Sequence, residues 1–308
     1  MRTRTVQSLA GILGLIAAAA SPAATWEITL GGGYRLDAFD WNIADADGSP
    51  NVVSELTWKD LRMQTLGIDG RVMFGKGWEI SGSFSRGWIY AGENRDSDYL
   101  YDDRQGEYSR SENKTRDKGA DAAEVSLGYR FRLVDTSAGG KRYSFTPRVG
   151  WRYDYLDMRI TDGNQTVNLV GPTGPFDGLD SRFQATWQGP WAGFGLDLEL
   201  AQRWWLGGGW RYRWGLYEGE ADWNLRDDLM HPKSQSQEAD AWGTAWHVTL
   251  RYSLAAAWDL SLRYDQSNWH AKPGTHYFYM ATGDVYRQPL NEANQDSSML
   301  NLKLSWRF

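Results

Sequence analysis

The sequence predicts an all-β protein, a ten-stranded antiparallel transmembrane β-barrel, on three observations. Apolar and polar residues alternate along many segments of the chain. The chain contains 18 Trp and 16 Tyr, yet its mean hydropathy is −0.60. After residue 24, no apolar run approaches the ~20 residues of a membrane-spanning helix. A barrel is consistent with all three, because its aromatic girdles face lipid while its lumen stays polar.

The alternation is clearest in segment 123–133 and at the C-terminus. Odd positions from 123 to 133 are apolar, whereas the intervening positions include Glu124, Arg130 and Arg132. The last segment alternates in the same way and ends on Phe308. Successive side chains of a strand point to opposite faces, so each segment has one apolar and one charged face. A soluble sandwich also alternates, but several arginines opposite tryptophans favour a membrane barrel.

Ten such segments follow one another along the chain. They are residues 25–37, 52–74, 77–91, 119–134, 142–161, 181–201, 203–220, 239–255, 257–268 and 295–308. Short connections fall near 75–76, 135–141, 201–202 and 255–257, and long polar ones at 38–51, 92–118, 162–180, 221–238 and 269–294. An even strand number with alternating short and long connections is typical of a bacterial outer-membrane barrel with short periplasmic turns and long extracellular loops. The charged lumen side chains are expected to pair across the barrel, without an open pore.

The N-terminus has the pattern of an export signal. Arg2 and Arg4 precede an apolar run from Leu9 to Ala20, and small residues follow at 21–24. This order predicts a signal peptide over residues 1–24 and a single barrel domain over residues 25–308. Loss of the two arginines would change the formal net charge from −6 to −8. We therefore predict location in a Gram-negative outer membrane.

Composition excludes several kinds of chemistry. An acidic chain is a poor non-specific ligand for nucleic acid and a reasonable host for basic substrates. No cysteine is present, which excludes disulfides and thiolate metal sites. The four histidines are scattered, so no metal site is predicted.

The long loops are the expected place for function, because a rigid scaffold holds their polar side chains. In the connection 92–118, Asp96 and Asp98 are two residues apart. If the strand continues upward, both carboxylates point to one side and could share a proton or hold a water. A solvated acidic loop, with or without Ca²⁺, is the alternative, because Asp-x-Asp is a weak motif.

The chain resembles the omptins, the ten-stranded outer-membrane endopeptidases of Gram-negative bacteria. Residues 54–59, Ser-Glu-Leu-Thr-Trp-Lys, are similar to the family's Ser-x-Leu-x-Trp-Lys. Asp96-Ser97-Asp98-Tyr99 matches its Asp-x-Asp followed by an aromatic, and residues 190–196 are similar to its Pro-x-x-Gly-Leu. The resemblance implies that Asp96 and Asp98 form one catalytic half and position the attacking water.

The resemblance also implies an Asp-x-His on the fourth outer loop, and here the sequence departs from the family. The best positional match is Asp222-Trp223-Asn224, with asparagine in place of histidine. An amide does not titrate near neutrality and cannot act as a general base. His231 could act instead if the loop folds back, oriented by Asp227 or Asp228. The implied catalytic set is therefore Asp96, Asp98, Asp222, Asn224 and His231.

The remaining implications concern ligands and alternatives. The resemblance implies cleavage near basic residues, with Asp40 and Glu220 as candidate acids of the substrate pocket. It implies no bound cofactor, but lipopolysaccharide as an activator and partner. We expect a monomer in outer-membrane lipid that acts on basic peptides or proteins and binds no nucleic acid. The alternative is a catalytically weak or inactive barrel of the same fold that acts as an adhesin or structural protein.

Overall fold

The computed structural model describes residues 24–134 and 141–308, which form fourteen strands of one antiparallel sheet. The expected signal peptide falls mainly on residues 1–23, outside the described residues. The strands are β1 (Thr25–Ile43), β2 (Ser54–Phe74), β3 (Trp78–Tyr101), β4 (Gln105–Thr115), β5 (Gly119–Tyr129), β6 (Phe131–Val134), β7 (Arg142–Asn168), β8 (Gly174–Pro175), β9 (Ser181–Ala201), β10 (Trp204–Asp222), β11 (Gln235–Ser253), β12 (Trp258–Ala271), β13 (Gly274–Tyr279) and β14 (Val285–Arg307). No helix in either described range is long and apolar enough to cross a membrane.

The sheet closes on itself. β1 pairs with β2 on one side and with β14 on the other, from Glu27 opposite Arg307 to Ile43 opposite Leu290. Several short strands share one position in the ring: β4 and β5 both pair with β3 and β7, and β12 and β13 both pair with β11 and β14. The ring therefore has ten strand positions, and the predicted ten-stranded barrel is confirmed.

An apolar belt covers the outer face of the barrel. Leu66, Leu127 and Val149 are exposed there, and so are the alternate residues Leu300, Leu302, Leu304, Trp306 and Phe308 at the end of the chain. Such a surface is costly in water and favourable against hydrocarbon. The period-two alternation therefore identified the lipid face correctly.

The predicted connections 92–118 and 269–294 are wrong in one respect, because they are largely β-structure. β3 continues to Tyr101 and returns as β4, and β13 returns as β14. Above the lipid neither face of a strand has to be apolar. The hydrophobic alternation therefore stops there, while the backbone ladder continues. The barrel wall thus extends well beyond the predicted strands on the side of the long connections.

The extracellular half of the interior is apolar, which the sequence did not predict. Trp41, Trp58, Trp187, Trp269 and Phe183 are almost fully buried there. The rings of Trp187 and Trp269 stack with centroids 5.8 Å apart, and Phe183 lies 5.3–5.8 Å from the Trp58 and Trp41 rings. Their burial places these residues on the face opposite the lipid belt, and on β2 a register shift between Lys59 and Met63 brings Trp58 to that face. We call this cluster the aromatic plug.

The periplasmic half of the interior is charged. Arg148 pairs with Glu79 at 2.6 Å, Arg263 with Asp265 at 2.6 Å, and Arg152 with Asp154 at 2.7 Å. Glu79 and Arg148 lie on different strands, so the expected pairing of lumen charges is confirmed. A partly buried cation and anion offset each other's desolvation only when they are paired and hydrogen-bonded.

The first prediction compares two leucines of similar exposure. Leu127 lies in the lipid belt, 42% exposed, and Leu100 lies near the tip of the β3–β4 hairpin, 49% exposed. Leu127→Arg should lower the free energy of unfolding in lipid bilayers, and so destabilise the barrel, by about 2–4 kcal/mol, because the introduced charge faces hydrocarbon. Leu100→Arg should change it little. A folded barrel that has not been boiled runs more compactly on a detergent gel than the unfolded chain. The fraction of this compact form at increasing urea concentration measures the stability of both variants. Equal losses of stability would contradict the assigned membrane position.

Candidate functional site

Asp96 and Asp98 lie on the inner face of β3, above the aromatic plug. Asp96 is opposite Leu56 and Asp98 is opposite Ser54, in phase with the buried Trp58. The ladder places Ser111 and Ser109 of β4 on their other side. The strand does continue upward, and both aspartates share one face.

The pKa values of both carboxyl groups are raised. Burial, followed by the charge of Asp98, raises the pKa of Asp96 well above its usual range, while Arg226 opposes the rise. Burial also raises the pKa of Asp98, against the Ser54 and Ser109 hydroxyls and Arg226. Two neighbouring carboxylates away from bulk water cannot both ionise freely, so the pair retains a proton to a higher pH than an isolated Asp.

His231 is held by Asp222. Its Nδ1 lies 2.6 Å from Asp222 Oδ1, because the loop after β10 turns back: Arg226 N donates to Trp223 O, and Ser234 N donates to Ala221 O. This hydrogen bond is the largest cause of the raised pKa of His231. The expected orienting residue was Asp227 or Asp228. Asp228 instead accepts two hydrogen bonds from Arg226 at 2.7 Å.

Asn224 joins two loops. Its Oδ1 accepts hydrogen bonds from Asp180 N at 2.8 Å and Ser181 Oγ at 3.0 Å, and its Nδ2 donates to Gly178 O at 2.7 Å. These contacts fix the segment before β9 against the loop after β10. They occupy the carboxamide, so Asn224 has a positioning contact in this structure and no hydrogen bond with Asp222 or His231.

Asp96 and Asp98 have the inner phase of β3, whereas Asp222, the partner of His231, has the outer phase of β10. Along β10, Asp222 follows the exposed Glu218 and Glu220 at every second position, so its side chain belongs to the outer face of the sheet. The inner phase carries Gly219 and Ala221, and Trp223 then packs against Phe183 at 6.4 Å. Among the described residues, no hydrogen bond or ion pair joins Asp96 or Asp98 to the Asp222–His231 pair.

The side chains of Asp40 and Glu220, the candidate acids of the substrate pocket, also belong to the outer face of the sheet. Along β1, Phe39 and Trp41 point inward, and Asp40 accepts a hydrogen bond from Asn294 Nδ2 at 3.0 Å. Glu220 pairs with Lys233 at 2.5 Å. The structure therefore does not bring Asp40 and Glu220 together with the Asp96–Asp98 pair. Arg226, whose charge acts on the Asp96–Asp98 pair, was not identified from the sequence. No local motif shows that a cation of the loop after β10 lies near two acids of β3.

A metal centre is not built from these groups. Across residues 24–134 and 141–308, no three His, Asp or Glu side chains are grouped so that they could hold a metal ion.

The barrel is closed and carries a lipid belt, and its interior is apolar in the extracellular half and charged in the periplasmic half. These features define the class of outer-membrane β-barrel proteins. The chain belongs to the Protochlamydia outer membrane protein family, Pom, whose family model matches residues 29–308. It is accordingly a protein of the outer membrane, embedded in lipid. A search of the curated proteins finds no match.

Solved structures share the fold at low identity. The outer membrane protease OmpT from Escherichia coli is similar with a TM-score of 0.75 and 12% identity, over 94% of this chain and 98% of that chain. Neisserial surface protein A has a TM-score of 0.29 and 10% identity, over 93% and 99%. A major outer membrane protein from Thermus thermophilus has a TM-score of 0.34 and 10% identity, over 93% and 100%. The likeness to the protease therefore concerns the fold.

The second prediction concerns the pKa of His231. Asp222→Asn should lower it toward the ordinary value of about 6.5, because the anionic hydrogen-bond acceptor is lost. Asp227→Asn, the matched control in the same loop, should move it much less. NMR titration of the imidazole in detergent micelles measures both shifts. An equal shift in the two variants would contradict the assigned pairing.

The third prediction concerns stability and pH. Because the folded state raises both aspartate pKa values, it binds protons more tightly than the unfolded chain does. This contribution is complete below about pH 3.9 and is lost as pH rises through the raised values. The free energy of unfolding of the wild type should therefore fall between about pH 4 and pH 8, and it should fall less in Asp96→Asn. Urea titration at each pH measures this fall. Asp47→Asn, which changes an exposed rim acid, should leave that fall as in the wild type, and an unchanged fall in Asp96→Asn would refute the coupling.

Proposed function

We propose that this protein is a non-proteolytic outer-membrane barrel that serves at the cell surface as a structural or adhesive protein. The aromatic plug is the observation that carries the proposal. Its tryptophans leave at most 2% of their surface exposed and fill the lumen directly below the Asp96–Asp98 pair. A peptide entering from outside would meet packed rings below these acids, so the lumen itself cannot take up a substrate.

The arrangement of polar groups supports the same conclusion. A general base must lie within about 2.6–3.2 Å of the proton it removes, directly or through one water. Here the imidazole of His231 is hydrogen-bonded to Asp222, which belongs to the outer face of β10. Gly219 and Ala221 occupy the inner face of that strand. Arg226 is the group whose charge acts on the Asp96–Asp98 pair. A cation beside two carboxylates stabilises their ionised form and so makes them weaker bases than they would be without it.

The extracellular rim offers an adhesive surface. Large apolar side chains are exposed at three separate tips: Leu100 and Tyr101, Leu169 and Val170, and Val285 and Tyr286. Val170 is 94% exposed. Exposed apolar side chains on polar loops commonly mark protein or membrane contacts. The rim is therefore the part of the barrel suited to contacts with other macromolecules at the cell surface.

The fourth prediction tests the proposal directly. The purified protein, reconstituted with lipopolysaccharide, should not cleave a fluorogenic dibasic peptide, while OmpT assayed alongside should. Asp96→Asn and His231→Ala should leave the background signal unchanged. Omitting lipopolysaccharide should also change nothing.

A second candidate, an endopeptidase acting on basic peptides with lipopolysaccharide as activator, rests on the Asp222–His231 hydrogen bond and the perturbed Asp96–Asp98 pair. It requires cleavage by the wild type and a loss of about 10²–10⁴-fold in His231→Ala, the usual effect of removing a general base. Asn224→Ala should then retain more activity than His231→Ala, because Asn224 holds the loops only. That result would overturn the non-proteolytic proposal.

A further inference from the structure

The periplasmic mouth of the barrel contains a cavity that neither function uses. It has a volume of about 450 Å³ and lies among the strand ends, from Thr25 of β1 to Arg307 of β14. Three acidic side chains line it, Glu27, Asp197 and Asp259. Six arginines line it as well: Arg71, Arg130, Arg132, Arg142, Arg251 and Arg307. Its described lining therefore carries an excess of positive charge.

Four of these arginines have close partners, and one of the four is Arg130, whose guanidinium lies 3.2 Å from Glu79. Arg71 pairs with Glu27 at 2.6 Å, and Arg307 pairs with Asp259 at 2.8 Å. Arg142 donates two hydrogen bonds to Glu199, at 2.7 and 2.9 Å. These pairs hold their guanidinium groups in defined positions at the wall.

The other two arginines, Arg132 and Arg251, are incompletely neutralised. Asp197 is shared between Arg130 at 3.9 Å and Arg251 at 3.8 Å, which is longer than a hydrogen bond. Arg132 is exposed and makes no ion pair within the described part of the chain. The surplus charge is thus located on Arg132 and Arg251.

Trp205 organises two of the cations. The guanidinium of Arg142 lies 5.1 Å from the centre of its ring, and that of Arg251 lies 5.3 Å away. Cation–π contacts of this length hold like charges near one another without neutralising them. The site is therefore partly ordered before any ligand binds, which lowers the entropic cost of binding.

The neighbouring cavity higher in the lumen shows the contrast. It measures about 310 Å³ and is lined by eight basic and six acidic side chains, counting Lys, Arg, Asp and Glu. Most of its cations have a carboxylate within 3.4 Å, such as Arg263 with Asp265 and Lys303 with Asp69. The upper cavity is thus a paired network apart from Arg251, which lines both cavities, and Arg132 adds a second incompletely neutralised cation at the mouth alone.

We propose that the mouth binds a small, multivalent oxyanion bearing phosphate groups from the periplasm. Guanidinium groups bind phosphate and carboxylate oxygens through paired N–H donors, and a ligand with several negative charges would balance the surplus. The volume falls in the range of small-molecule sites. Phosphate is the favoured chemistry because one group can contact guanidinium donors on several sides, whereas a carboxylate is planar.

The fifth prediction uses pyrophosphate as the probe and lipopolysaccharide-free protein in a zwitterionic detergent. Isothermal titration calorimetry at low salt should show saturable binding. Arg132→Gln and Arg251→Gln should each weaken it about tenfold, the loss expected for one charge-assisted hydrogen bond. Arg95→Gln, which changes an exposed arginine at the opposite end of β3, should bind like the wild type. The heat-modifiable gel shift verifies that each variant is folded.

Several outcomes would overturn the proposal. They are absence of saturable binding, equal weakening by Arg95→Gln, and binding unaffected by both mouth variants. A citrate titration distinguishes carboxylate from phosphate chemistry, and citrate binding as tight as that of pyrophosphate would refute the phosphate assignment. The readout does not depend on peptide cleavage, so it stands or fails separately from the function proposed above.

Discussion

Every backbone N–H and C=O group in the hydrocarbon layer must be paired within the protein, because lipid offers no hydrogen-bonding partner. A β-sheet meets this requirement only when it has no free edge. The pairing of β1 with β14 supplies that closure. Once the ring closes with ten strand positions, the circumference is fixed. The interior volume to be filled is then fixed as well, and every other feature of the molecule follows from how it is filled.

The chain fills that volume in two ways, and a buried polar contact lies where they meet. Trp269 Nε1 donates to Asp154 at 3.0 Å, and the Arg213 guanidinium lies 4.2 Å from the Trp269 ring. Arg213 also approaches Asp154 at 3.4 Å. Trp269 thus belongs to the aromatic plug on one side and to the ion network on the other. Aromatic rings with one polar edge suit such a boundary, because the ring is buried while the N–H keeps a partner.

The two-residue period of a strand decides which residues can act together. Asp96 and Asp98 share a face because they are two residues apart, and the charge of Asp98 raises the pKa of Asp96. On β10, a single position separates the inner phase of Ala221 from the outer phase of Asp222. A one-residue change of phase moves a side chain to the other face of the sheet. The Asp222–His231 pair therefore forms its hydrogen bond without a direct contact to the inner acids.

The sequence by itself determined the all-β class, the ten strand positions and the lipid face, because alternation reports directly on which side of a strand meets lipid. It also showed that Asp96 and Asp98 would share one face if the strand continued to them, and only the structure decided that β3 extends to Tyr101. It could not place the tryptophans of the plug, since an inward and an outward tryptophan carry the same hydrophobic signal. Nor could it show that His231 returns to Asp222, that Asn224 holds two loops together, or that six arginines meet at one mouth. Those arrangements join residues far apart along the chain, and only the closed tertiary structure decides such distances.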